Sequence, residues 1–377
     1  MSGPCLTDGP SHDIKRAMSL NPTYRIDLSY EQNYREGPFF KGEIPKRPMG
    51  RRYRFLDFEV NSLLGIPAGP LLNANWISTY AALGFDLPVY KTVRTRAHPS
   101  HPAPNCLLLD IKAPLEDGDL DGRLIALPGG LRDRIEEISI TNSFGMPSRD
   151  PKLWQEDVLK AKRSLAPGQV LTVSVVGTPE RGRNLAEDYA RGALWAAEAG
   201  ADIVEINLSC PNVMSGEGSV FCDPNASSVI SSAVKRAIGA TPLFIKIGYI
   251  PDPALLARVV ASNAPRVDGI AGINTLSFEV VKPDGSPALP GEGRLRSGVC
   301  GAAIRNCAMA QAARLAELRQ KERYDFVIVG VGGVMTTSDI RAYFSLGVDA
   351  VMSATGAMWD PYLAARYQRE ESQGGGG

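Results

Sequence analysis

The stretch FVIVGVGGVMTTSDIRAYFSLGVDAVMSATG (326–356) holds two strand–glycine–helix turns, one unit apart. FVIVGVGG (326–333) is an apolar run that closes on Gly332 and Gly333, and a helical stretch follows. AVMSATG (350–356) repeats the arrangement with Thr355 and Gly356 at its turn. Short Val- and Ile-rich runs bounded by glycine read as buried parallel strands joined by crossover helices. Two neighbouring turns of this kind can build an anion site from backbone N–H groups and a helix N-terminus.

Six more runs of the same character precede them. They are LLGIPAGP (63–70), PVYKTV (88–93), LTVSVVG (171–177), ADIVEINLS (201–209), LFIKIG (243–248) and GIAGINT (269–275). Helix-like stretches such as 186–200 and 302–320 lie between them. Eight strand–helix units predict a (β/α)8 TIM barrel of the α/β class. An open doubly wound sheet is the rival, but no GxGxxG opens a helix after an early strand. Residues 94–170 are too many for one crossover, so they predict an excursion over the C-terminal mouth. The expected organisation is an N-terminal extension (1–60), a barrel (61–370) and a flexible tail (371–377).

Composition narrows the classes of function. The 377 residues carry 41 Lys+Arg against 41 Asp+Glu, so no basic face for nucleic acid is implied by the totals. Apolar residues are 44% and charged residues 22%, which suits a packed domain rather than a disordered chain. No apolar run approaches the ~18–20 residues of a membrane helix. The first residues contain no apolar core of a secretory signal, so the expected location is cytoplasmic. The six cysteines form no CxxC pair, and no metal is expected. The three histidines, His12, His98 and His101, all lie in the first third. Acid–base chemistry in the remainder must therefore use Cys, Lys, Tyr or a carboxylate.

Active sites of this fold form at the C-terminal ends of the strands. The polar residues expected there are Lys91, Thr92, Ser174, Asn207, Cys210, Lys246, Asn274 and Thr275. A lysine within an apolar strand either snorkels at the strand end or holds its ammonium over a ligand that becomes negative. Lys246 in FIKIGY and Lys91 in VYKTVRT both pose that choice. In NLSCPNV (207–213), Asn207, Cys210 and Asn212 cluster at a strand-to-loop junction. Cys210 there is either a small buried filler or a base whose thiol ionises near neighbouring cations. NSFGMPS (142–148) is either a tight turn or a loop whose glycine lets backbone N–H groups face a carboxylate.

The ordered set YKTV, NSFGMP, EINLSCPN, FIKIG, INT and GVGGV resembles the dihydroorotate dehydrogenase family over roughly residues 60–365. That resemblance implies an FMN-dependent barrel, a small-molecule substrate and a homodimer without membrane or nucleic-acid partners. Cys210 matches the catalytic base of the soluble class, where the membrane-associated class uses serine. Lys91, Asn142, Phe144, Gly145, Met146, Asn207, Asn212, Asn274 and Thr275 match positions that hold the orotate ring and carboxylate. Ala68, Gly69, Lys91, Thr92, Ser174, Asn207 and Lys246 match flavin contacts, with Lys246 in a catalytic role beside the reduced ring. Gly301, Gly332, Gly333, Thr355 and Gly356 match the ribityl-phosphate end. The implied chemistry is proton removal by Cys210 with hydride transfer to flavin N5. Segment 213–225 is expected to cover the site and carries Cys222, a second candidate base or a packing residue. The flavin domain of dihydropyrimidine dehydrogenases is similar as well, which leaves a related cyclic amide as the alternative substrate. A non-catalytic flavin-binding subunit is a further alternative, against which Cys210 and both lysines argue.

Overall fold

The computed structural model describes residues 22–47, 52–127, 134–180, 182, 184–209 and 220–374. Its centre is a closed barrel of eight parallel strands: Leu64–Ile66, Leu87–Val93, Thr172–Val175, Ile203–Asn207, Leu243–Ile247, Gly269–Gly272, Val327–Val331 and Ala350–Met352. Each strand pairs with its neighbours in chain order. The ring closes where Val351 lies opposite Leu64. All eight apolar runs read from the sequence supply one strand each, and the TIM barrel prediction holds.

The strands are buried on both faces, which is why they read as nearly continuous apolar runs. Leu87, Val89, Ile203, Phe244, Val329 and Ala350 fill the barrel interior. A second apolar layer lies between strands and helices, with Trp76, Trp154, Val234 and Leu256 among its members. Helices begin where the sequence supplies a cap. Asp150, Asp223 and Asp252 each precede a proline and accept hydrogen bonds from the first-turn N–H groups.

A second, five-stranded closed barrel sits beside the first. Its strands are Cys106–Leu109, Arg123–Leu127, Ser139–Asn142, Leu276–Val281 and Arg296–Gly301. The first three belong to the excursion expected over 94–170. The last two form an antiparallel pair, Leu276 opposite Val299, inserted between the sixth barrel strand and its helix Arg305–Glu322. The strand expected over 269–275 and the helix expected over 302–320 leave residues 276–301 unassigned, and these form the second insertion. Arg294 ties the two insertions together. Its guanidinium donates to the carbonyls of Pro102 (2.9 Å), Pro104 (3.0 Å) and Ser143 (2.8 Å).

The N-terminal residues do two separate jobs. The hairpin Tyr53–Phe55 and Phe58–Val60 closes the bottom of the barrel, where Phe55 meets Phe244 edge-on at 6.0 Å between ring centroids. Residues 22–36 instead reach the opposite mouth, and the chain then returns past Tyr362 to Arg47, which pairs with Asp86 at the start of the second strand (2.6 Å). Thr23 donates its N–H to Met358 O (2.8 Å), and Ser29 and Gln32 form a capping box that starts the helix Tyr30–Glu36. At the other end of the chain, residues 371–374 differ from the expected flexible tail. They continue the helix Leu363–Gly374, which Arg341 holds through ion pairs to Glu370 and Glu371. Among the described residues, no helix is long and apolar enough to cross a membrane.

If the hairpin plugs the barrel, Phe55→Ala leaves a cavity against Phe244. Such a truncation should lower unfolding stability by about 3–5 kcal/mol. The urea midpoint reads it, and an unshifted midpoint would show that the hairpin merely lies on the surface.

Candidate active site

The C-terminal ends of seven of the eight strands, all but the third, line one cavity. The first strand leads into Pro67, Ala68 and Gly69, which line it. Gly69 has a φ of +143°, and a side chain there would meet nothing within 4 Å, so bare backbone faces the space. The second strand contributes Lys91 and Thr92. Its pairing with the third strand shifts register between Tyr90 and Val93, the segment that carries both residues.

Lys91 is 8% exposed and its Nζ lies 5.0 Å from the centroid of the Tyr30 ring. Burial, and secondarily the nearby Arg94 guanidinium, push its pKa down to about 7. Lys246 on the fifth strand is 4% exposed and lies opposite Asn207 of the fourth. Burial lowers its pKa, and the Glu205 carboxylate partly restores it. Glu205 faces the reciprocal situation. Its pKa is raised by burial and lowered in part by Lys246 and by a Ser174 hydrogen bond. Oε1 of Glu205 has no hydrogen-bond partner. Among the described residues, the Lys246 ammonium likewise has no ion pair within 4 Å. A buried cation in that position is prepared for a ligand carrying, or gaining, negative charge.

Three side-chain amides complete this part of the wall. Asn207 accepts from Ser209 N (3.1 Å) and from Asn274 Nδ2 (3.3 Å). Asn274 also donates to Ser209 O (3.0 Å) and accepts from Thr275 N (2.9 Å). Tyr189 anchors the strand end by donating to Asn207 O (2.8 Å). Asn142, at the end of a cap strand, directs Nδ2 toward Cys300 Sγ at 3.4 Å. In the loop that follows, the Arg94 guanidinium holds the carbonyls of Met146 (3.0 Å) and Gly145 (3.4 Å).

The far end of the cavity is built from turns. Gly301 (φ +87°), Gly332 (φ +124°) and Gly333 (φ +67°) line it with Ala354 and Thr355. A Cβ on Gly301 would come within 2.3 Å of Ile138 O, and one on Gly333 within 2.5 Å of Arg305 Cα. Both positions therefore need glycine for conformation and for space.

Most residues singled out from the sequence meet at this cavity: Ala68, Gly69, Lys91, Thr92, Asn142, Phe144, Met146, Asn207, Lys246, Asn274, Thr275, Gly301, Gly332, Gly333 and Thr355. Three do not. Ser174 is fully buried behind the wall, where its hydroxyl bonds Thr92 (3.1 Å). Gly145 faces the His101 ring, which a Cβ would approach to 2.6 Å. Gly356 packs against Val334 O, 2.3 Å from where its Cβ would be, and spaces two turns rather than lining the cavity. Cys210 and Asn212 lie outside the described residues, as does most of the expected cover over 213–225. Cys222 is described, half-buried and off the cavity, with its thiol pushed up to about 11 by burial.

Sequence reasoning missed Tyr24, Tyr30, Cys106 and Cys300, which also line the cavity. The tyrosines belong to a segment without periodicity, so nothing in their spacing pointed inward. The Tyr24 hydroxyl is buried and has no hydrogen-bond partner among the described residues. The Cys300 thiol is raised to about 11 by burial, which suits packing more than acid–base work.

Comparison with known proteins agrees with this geometry. The family model described as dihydroorotate dehydrogenase matches residues 125–370. The chain is 36% identical over 359 residues to a protein of Dictyostelium discoideum named dihydroorotate dehydrogenase, covering 92% of this chain and 96% of that one. It is 28% identical over 228 residues to a dihydroorotate dehydrogenase B (NAD(+)) catalytic subunit of Enterococcus faecalis, covering 60% and 67%. Its fold is similar to a crystal structure of DHODH from Eimeria tenella in complex with ferulenol. The TM-score is 0.67 at 16% identity, over 86% of this chain and 85% of that one. A barrel with these groups at its mouth, matched over nearly its whole length, belongs to the dihydroorotate dehydrogenase family of oxidoreductases.

Proposed function

We propose that this enzyme oxidises dihydroorotate to orotate with FMN bound in the barrel mouth, as a cytoplasmic homodimer serving pyrimidine biosynthesis. The observation that carries the reading is the convergence of three amides and two buried ammonium groups on one cavity. A dihydropyrimidine ring alternates N–H and C=O groups, and each primary amide offers a donor and an acceptor to match. The ring carboxylate needs a cation, and Lys91 is a buried cation lining the cavity together with Asn142, Phe144 and Met146. At the other end, Gly301, Gly332 and Gly333 expose backbone on turns open enough for a phosphate. The wall between them, which carries Lys246, would take the flavin.

When bound, FMN supplies a hydride acceptor. The protein supplies the rest. Asn142, Asn207 and Asn274, joined by Asn212, would fix the ring edges so that C6 faces the cofactor. Lys91 would hold the carboxylate. Cys210, on the NLSCPN motif, would take the proton from C5. Lys246 would keep positive charge beside the ring that receives the hydride, with Glu205 beneath limiting how far burial drains that charge.

Mixing the oxygen-free enzyme with dihydroorotate should bleach its flavin absorbance within the mixing experiment. Cys210→Ser should slow that bleaching by at least about a hundredfold while flavin stays bound. Bleaching by dihydrouracil or dihydrothymine and not by dihydroorotate would replace the acidic substrate with a neutral one. Gly333→Ala should purify with flavin largely lost, because the added Cβ collides with Arg305. Retention of full flavin content would move the phosphate away from this turn.

The Lys91 pKa of about 7 gives the sign of a pH effect. Its ammonium loses the proton as pH rises through that value. Orotate affinity, read from perturbation of the flavin spectrum, should therefore weaken above about pH 7, and uracil affinity should stay flat. An orotate affinity that rises with pH would remove Lys91 as the carboxylate's partner.

A further inference from the structure

The helix Tyr30–Glu36 lies over the barrel mouth and is fixed there from several sides. Glu31 pairs with Arg149 at 2.5 Å, and the Arg149 guanidinium also stacks 4.3 Å from the Tyr34 ring centroid. Asn73, at the start of a barrel helix, donates to Tyr34 O at 2.7 Å. Asn33 is fully buried, and its side chain bonds the backbone of Arg25, Leu28 and Ser29. Such anchoring exceeds what a seven-residue helix on a surface needs, and its result is one placement. The Tyr30 ring, 4% exposed, is set against the Lys91 ammonium and edge-on to Phe144 at 6.2 Å.

Lys91 has no carboxylate within 4 Å among the described residues, and the nearest charged group, Arg94, has the same sign. A desolvated ammonium near a like charge is unfavourable. The negative face of an aromatic ring is a favourable electrostatic contact given to it among the described residues. Unlike a carboxylate, a ring does not neutralise the charge. The ammonium stays available to an anion on its cavity side. The Tyr24 phenol nearby, buried with an unpartnered hydroxyl, marks the same segment as a wall facing a ligand.

We propose that Tyr30 is a positioning residue that holds Lys91 charged and directed at the cavity, and so selects anionic over neutral pyrimidines. The inference rests on the reading that the site takes an acidic dihydropyrimidine. It adds that the discrimination depends on a residue of the N-terminal segment acting through a barrel lysine. The part of the N-terminal segment that carries Tyr24 and Tyr30 is then a working part of the site and not a covering.

The test uses the flavin-loaded enzyme with two ligands, orotate as the anion and uracil as the neutral ring, titrated by flavin spectral perturbation. Tyr30→Leu should raise the orotate Kd about tenfold and change the uracil Kd less than twofold. Tyr30→Phe keeps the ring face and should restore orotate binding to within twofold of the original. In a Lys91→Met background, Tyr30→Leu should have no further effect on orotate. Equal weakening of both ligands, or failure of Tyr30→Phe to rescue, would reduce Tyr30 to packing and overturn the proposal. If Tyr30→Leu does not fold, the Tyr30→Phe and Tyr30→Met pair carries the same comparison. An original enzyme that binds uracil but not orotate would instead overturn the substrate reading itself.

Discussion

Two ammonium groups, Lys91 and Lys246, stand inside a closed barrel with almost no water around them. Burying a charge is among the most costly things a fold can do, and much of the architecture of the mouth can be understood as meeting that cost. Lys246 is met from below by Glu205, a fully buried carboxylate that among the described residues is itself short of one hydrogen-bond partner. Lys91 is met from above by a ring and not by an acid. The two solutions differ in what they leave behind. A carboxylate beneath the floor keeps a cation charged without reaching the cavity. An aromatic lid keeps the other cation's attraction for anions nearly intact.

The remaining structure holds these groups at fixed positions. Parallel strands in chain order place Glu205, Asn207 and Lys246 on adjoining strands, so the floor needs no loop to assemble it. The amides are the harder part, because an unbound Asn side chain can rotate. Asn207 and Asn274 are bonded to each other and to the backbone of 209 and 275, which orients both before any ligand arrives. Asn142 comes from the second barrel, and its strand is pinned on both sides, to Cys106 and to Gly298. Arg294 and Arg94 act similarly at larger scale, each crossing between insertions or loops to bind carbonyls that have no ladder partner.

What could be read from the sequence follows from this division. The barrel was legible because parallel strands buried on both faces leave unbroken Val/Ile runs, and eight of them separated by helices admit few folds. The floor was legible because Lys246, Asn207 and Lys91 are chemically out of place in such runs. The insertion carrying Leu276–Val281 and Arg296–Gly301 was not, since LSFEVV and RSGVCG are short, half-polar and separated by a long irregular loop. The family resemblance points to Ser174, Gly145 and Gly356 as ligand contacts. The alternation of strand faces and the packing of turns put each of them one layer away. Tyr24 and Tyr30 carried no readable signal at all, as a segment with neither strand nor helix period gives no inward face.

That last omission changes how the N-terminal segment is understood. Its sequence suggests a wrap, and a wrap would need only apolar contacts with the helices. The segment does have those, where Tyr24 packs on Trp76 and Phe40 on Tyr362. It is also anchored by Arg47, which pairs with buried Asp86 at 2.6 Å, but three further polar anchors, Asn33 within and Arg149 and Asn73 from the barrel side, converge on the turn that carries Tyr30 and Tyr34. Anchors placed so close to the mouth restrict the rotation of one aromatic ring far more than they stabilise a covering strand. The hairpin at 53–60, by contrast, is held almost wholly by apolar burial under the barrel. The same stretch of about forty residues thus contains a plug that the fold requires and a turn that only the chemistry of the mouth explains.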